Sequence, residues 1–149
     1  MKEGVREVFM VVNNNFSKTI DLLHRGLSTA SLRESVIANN LANADVPNFK
    51  RTDVNFESEL KRALDTEKQK PVLELKLTNP VHIPNWRPRD YQEVKPRRVL
   101  DYLTQSDNNG NNVDAEEEFN LLLKNQLRYM LFAQSVSYEF GQVSLVLRG

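Results

Sequence analysis

The chain contains no cysteine, which removes a disulfide framework, a zinc-finger site and a thiol nucleophile together. It also leaves the chain suited to a reducing or an oxidising compartment alike. Glycine is scarce. Five glycines leave little from which to build a phosphate cradle, and no P-loop, HExxH or GxSxG spacing occurs. The only histidines are His24, within a helical pattern, and His82, in a proline-flanked stretch with no carboxylate or serine partner at motif spacing. No run approaches the roughly 20 apolar residues of a membrane span. Charge of one sign is not in excess either: 20 Lys and Arg meet 20 Asp and Glu. Residues 1–46 carry five of each sign, 47–113 twelve positive and ten negative, and 114–149 three positive and five negative. No segment supplies the basic field that sequence-independent nucleic-acid binding uses. The expectation is a protein without catalysis, cofactor or metal, and with neither nucleic acid nor a small-molecule substrate as partner.

What remains is an ordinary soluble composition, 40% hydrophobic and 27% charged, enough for one domain over 1–149. The segment Met1–Val12 is interrupted by Arg6 and Glu7 and is too charged for a signal-peptide core. Any export is expected to proceed without a cleaved signal. Proline is distributed unevenly: all six lie between Pro47 and Pro96, leaving both ends free of it.

Both proline-free ends have a helical period. In the C-terminal part Ala115, Phe119, Leu122, Gln126, Tyr129, Ala133, Val136, Phe140, Val143 and Leu147 recur in alternating steps of four and three, the seam of a coiled coil. Asn109-Gly110 signals a turn before it. Asp114 can cap the helix, and Glu116, Glu117 and Glu118 place negative charge where the helix dipole favours it. In the N-terminal part Phe16, Ile20, Leu23, Leu27 and Ala30, then Ile37, Leu41 and Ala44 after a miss at Glu34, repeat the pattern, until Pro47 disfavours a helical Val46. Gly26 interrupts that helix at a cost of about 1 kcal/mol relative to alanine.

The expected fold is therefore mainly α. An N-terminal helix over 13–45 and a C-terminal helix over 114–147 pair as a coiled-coil-like bundle, with Phe16, Ile20, Leu23, Leu27, Ile37, Phe119, Leu122, Tyr129, Val136 and Phe140 on the seam. The loop-rich segment 46–113 contains a short helix (Phe56, Leu60, Ala63, Leu64) and little β, with a brief alternation at Val72, Leu73, Leu75 and Leu77. A two-helix seam leaves Leu121, Leu123, Leu127, Met130, Leu131, Phe132, Leu145 and Val146 unused, so the middle segment or other copies must cover them. The stretch from Trp86 to Arg98 is basic, with Tyr91 interleaved, and reads as a solvated loop or the polar rim of a protein contact.

The segment Ala38-Asn39-Asn40-Leu41-Ala42-Asn43-Ala44-Asp45-Val46-Pro47-Asn48-Phe49-Lys50 is the most distinctive. Asparagine weakens a helix by competing for backbone hydrogen bonds. One reading is a frayed helix end. The other is a crowded interface, where small alanines permit close approach and amides satisfy the backbone of neighbours. These residues resemble the N-terminal signature of the flagellar axial proteins (rod, hook and hook-associated), with Val46 where Thr or Ser is usual and Phe49 where Tyr is often found. Asn112-Val113-Asp114 before Glu118, then Lys124-Asn125-Gln126-Leu127-Arg128-Tyr129, resembles the proximal-rod members.

The resemblance implies a structural subunit, not an enzyme, that polymerises helically with itself and other rod proteins and transmits torque from motor to hook and filament. It also implies the adaptor FliE and the membrane-ring protein FliF as neighbours, export by the flagellar type III apparatus, and a place on the periplasmic side of the basal body. Asn39, Asn40, Leu41, Asn43, Asp45, Pro47, Asn48 and Phe49 are then expected at contacts between subunits. A sister proximal-rod protein, or a helical adaptor binding a partner helix, remains as an alternative. An enzyme would need a pocket around His82 and Trp86.

Overall fold

The computed structural model describes residues 3–68, 78–79, 81, 89–104 and 108–148. Its elements run α1 (Glu3–Ala42), β1 (Thr52–Asn55), α2 (Glu57–Lys68), a 3-10 turn (Tyr91–Glu93), β2 (Arg97–Leu100) and α3 (Ala115–Arg148). The protein is mainly helical, and its two long terminal helices pack along each other. β1 and β2 pair in a two-stranded sheet. The seam pattern set the start of the first helix at residue 13; α1 begins at Glu3, and no proline stands in the intervening ten residues to stop it. The alternation at Val72–Leu77 lies outside the described residues.

The chain divides into two compact units, residues 1–53 with 100–149, and 54–99. In the first, α1 and α3 are antiparallel. Phe16 meets Phe140 edge to face with ring centroids 5.9 Å apart, Gly26 faces Phe132, and the Ala30 carbonyl accepts from the Asn125 amide at 2.8 Å. Gly26 has a packing role that its helix propensity conceals. A Cβ there would stand 3.0 Å from Cε2 of Phe132, so the missing side chain is what lets the ring lie against the α1 backbone. Thr29, Ala30, Val36 and Ile37 form the buried face of α1. Asp114 caps α3, its carboxylate accepting from the N–H groups of Glu116 (2.9 Å) and Glu117 (3.2 Å).

The second unit is small. Its core is Val54, Phe56, Ala63 of α2 and Tyr91. Glu59 pairs with Arg62 at 3.1 Å and Arg89 at 3.0 Å, and Asp90 accepts from the Gln92 N–H at 2.9 Å to start the 3-10 turn.

Candidate subunit interface

Where α1 ends, its last carbonyls lack the partners a continuing helix would supply. The chain tightens first, with Asn43 N–H donating to the Asn40 carbonyl and Ala44 N–H to that of Leu41. Asn48 then turns the backbone with φ of 60°, a left-handed conformation that asparagine tolerates better than most residues. The remaining carbonyls are met from far along the sequence. Nδ2 of Asn111 donates to the carbonyls of Asn43 (3.0 Å), Ala44 (2.6 Å) and Val46 (2.9 Å), while its Oδ1 accepts from Val113 N–H at 2.8 Å. Asn111 is wholly buried, so this amide serves as a C-cap delivered from the entry to α3. Gly110 makes its approach possible: φ is +79°, and a Cβ would lie 2.7 Å from Oδ1 of Asn48.

Two more amides complete the junction. Asn40, 0% exposed, presents its amide to Thr52 as a strand would, donating to the carbonyl at 2.8 Å and accepting from the N–H at 3.1 Å. Asn112 accepts from Arg51 N–H at 2.6 Å and donates to the Asp101 carbonyl (2.8 Å) and Thr104 Oγ1 (3.1 Å). Beside them Arg51 Nε bonds the Glu118 carboxylate, which is 0% exposed. Burial works against the Arg51 charge, but the hydrogen bond to Glu118 and its charge outweigh it and raise the guanidinium above its ordinary value. Oε2 of Glu118 and Oδ1 of Asn125 are buried with no hydrogen-bond partner.

These contacts revise two expectations. Asn40 was expected to face another subunit; its donor and acceptor are both engaged by Thr52 within its own chain, so it is not available outside. Glu118 was expected to serve the dipole and cap of the helix; it sits in the first turn and is in addition the buried partner of Arg51. Of the other residues expected at the interface, Asn39, Asp45, Pro47 and Asn48 are exposed, while Leu41, Asn43 and Phe49 are half-buried. The Asn43 amide donates to the Asn39 carbonyl at 2.7 Å.

The seam of α3 also sits differently from its pattern. Ile37 is buried, and Phe16, Ile20, Leu23, Leu27, Leu122 and Val136 are half-buried; Phe140, though exposed on one side, packs on Phe16, but Phe119 is 63% exposed and Tyr129 is also exposed. The buried positions of α3 are Glu118 and Asn125, one place before the expected Phe119 and Gln126. Arg51 draws Glu118 inward and Ala30 draws Asn125, and the helix is rotated accordingly. Most of the large apolar residues that lie off the seam face outward. Leu123, Leu127, Met130, Leu131, Tyr138, Leu145 and Val146 are all exposed.

The polar junction was missed from sequence because Asn111, Asn112 and Asn125 have no periodic signal, and Glu118 is one of three consecutive glutamates. Two asparagines placed just before a well-marked helix cap were the available clue. His24 is exposed on α1; His82, Trp86 and Arg87 lie outside the described residues. Arg89 pairs with Glu59, and Tyr91 is buried against the small core. No helix among the described residues is long and apolar enough to cross a membrane.

Residues 20–50 match the family described as flagella basal body rod protein. The chain is 42% identical over 135 residues to the flagellar basal body rod protein FlgB of Borreliella burgdorferi, covering 91% of this chain and 99% of that one. It is 44% identical to FlgB of Borrelia hermsii with the same coverage. Against FlgB of Bacillus subtilis it is 33% identical over 136 residues, covering 90% of this chain and 96% of the relative.

Proposed function

Because the chain belongs to the FlgB family of flagellar basal body rod proteins, we propose that it occupies the proximal part of the rod, on the periplasmic side of the membrane-embedded ring. It is a structural subunit of the rod, not an enzyme, and it assembles with other rod components. Our reading goes further. The subunit reaches its place through the flagellar type III export apparatus, meets FliE and the ring protein FliF at its base, and passes torque outward through long packed helices.

One observation carries this reading: α3 leaves a stripe of large apolar side chains in solvent along most of its 34 residues. Monomeric proteins rarely expose contiguous apolar patches of this kind unless another surface covers them. In a tube built from repeated subunits, each copy covers its neighbour. At about 25 cal/mol per Å² of apolar area, a few hundred Å² per contact yields several kcal/mol before association costs. We assign Asn39, Asp45, Pro47, Asn48 and Phe49 to a second contact at the turn after α1, with Leu41 and Asn43 supporting it from beneath. The seam residues Phe16, Ile20, Leu23, Leu27, Ile37, Leu122, Val136 and Phe140 serve the intrasubunit helix pair.

Electron microscopy of basal bodies from a strain lacking this gene tests the placement. A membrane ring with no rod beyond it, in non-motile cells, is expected. An intact rod and hook would refute it.

A further inference from the structure

The turn Asp101–Thr104 combines rigidity with exposure. The Asp101 carboxylate accepts from Leu103 N–H at 3.0 Å, Thr104 N–H at 3.2 Å and Thr104 Oγ1 at 2.6 Å. From outside the turn, Asp101 N–H donates to the Arg51 carbonyl at 2.9 Å, and Asn112 holds both the Asp101 carbonyl and the Thr104 hydroxyl. Six hydrogen bonds fix a loop of four residues, yet Tyr102 is 70% exposed and Leu103 98% exposed. Such a frame has no purpose in covering a core. It presents an aromatic ring and a leucine at fixed positions, so little ordering entropy would be lost on docking.

The same unit contains a surface of matching chemistry. Leu123, Leu127, Met130 and Leu131 follow one another at helical spacing on the outward side of α3, all more than half exposed. Between Phe119 and Tyr138 the only charged residues are Lys124 and Arg128. The stripe is apolar with a cationic margin; the turn is apolar with an anionic base at Asp101. The Thr104 hydroxyl first, and then the backbone of Leu103, hold that carboxylate below its ordinary pKa, so it is charged at neutral pH.

We infer that the Asp101–Thr104 turn is a docking knob that seats Tyr102 and Leu103 on the α3 stripe of a second copy of this chain. Knob and stripe are different surfaces of one subunit, and when a copy offers its knob to one neighbour and its stripe to another the contact is heterologous and propagates, as an open helical assembly requires. The Asp101 carboxylate at the base of the knob is opposite in charge to Lys124 on the margin of the stripe. The inference rests on the rod reading and specifies which surfaces of successive copies meet.

The absence of native cysteine makes the test direct. Basal bodies are prepared from cells whose only copy carries Leu103→Cys, Leu127→Cys or both, and are treated with a short bis-maleimide. The double variant is expected to give a ladder of multiples of the chain, and the single variants none. Leu103→Asp is expected to abolish swimming while the purified chain melts as the wild type does, since Leu103 touches little of its own subunit. Dimers from Leu103→Cys alone would mean that two knobs meet and would overturn the proposal. So would adducts to a different rod protein, or no ladder in basal bodies from cells that swim. That last result leaves the rod reading standing, whereas intact rods in the strain lacking the gene remove the rod reading itself.

Discussion

Replacing Asn111 by alanine should cost about 2–6 kcal/mol of folding stability, a figure that follows from counting which groups lose their partners. The carbonyls of Asn43 and Val46 each also accept a turn N–H, from Val46 and Phe49, and so stay partly satisfied. The Ala44 carbonyl, at 2.6 Å, and the Val113 N–H, at 2.8 Å, rely on the Asn111 side chain. Leaving a buried donor or acceptor unmet costs about 1–3 kcal/mol each, and Asn111 is wholly buried, so solvent does not simply replace it. Two such groups give the stated range, a large share of the ~5–15 kcal/mol of an ordinary domain. Urea unfolding of the purified chain measures it, with an unchanged slope required for a two-state reading. Asn111→Asp provides the control: it keeps an acceptor for Val113 but turns a carboxylate toward three carbonyl oxygens, and should be worse than alanine. If Asn111→Asp unfolds at the wild-type midpoint, the amide is not what holds the end of α1, and the account of the junction fails.

Arg51→Met should destabilise by about 3–5 kcal/mol, because it strands the buried Glu118 carboxylate, whereas Arg51→Met with Glu118→Leu should recover most of that loss; urea midpoints of the three chains decide it. Gly26→Ala should gain up to about 1 kcal/mol in a Phe132→Ala background, by helix propensity, but less in the native background, where the new Cβ meets the ring at 3.0 Å. A double-mutant cycle that is additive would refute that contact. The Asp101 cap stabilises the turn above the ordinary aspartate pKa of ~3.9 and is lost as pH falls through its lowered folded value. The Leu103 and Thr104 amide resonances should therefore stay constant from neutral pH down to that range and shift only below it.

The two long helices were legible because periodicity, caps and proline placement agree over many residues. Their rotation about each other was not. An alternating seam predicts which stripe is apolar, and α3 has two apolar stripes. The one turned to α1 is selected by two polar residues: Glu118, bound to Arg51 from a loop 67 positions away, and Asn125, bound to a backbone carbonyl of α1. Long-range pairing of this sort leaves no local pattern. The asparagine-rich segment was legible as unusual but not as to purpose. Asn40 and Asn111 act within the chain, and that depends on which backbone groups the fold leaves unpaired. Gly26 likewise reads as a defect until Phe132 is placed over it.

The division of labour between polar and apolar groups explains how one chain can be both a specific fold and a building block. Hydrogen bonds concentrate where α1 ends and α3 begins: three asparagine amides and one buried ion pair join Asn40, the carbonyls of Asn43, Ala44 and Val46, Arg51 and Glu118. Such contacts need specific geometry and contribute little if it is lost, so they select one arrangement of the two helices. Further along α3, toward Leu145 and Val146, the side chains are large, apolar and exposed. Apolar burial is non-directional and scales with area, so it can be supplied by any neighbour of suitable shape. A subunit arranged this way fixes its helix pair internally at one end and leaves the rest of α3 to be completed by assembly. Substitutions in the junction should therefore be detected in the isolated chain, and substitutions on the outward stripe only in the rod.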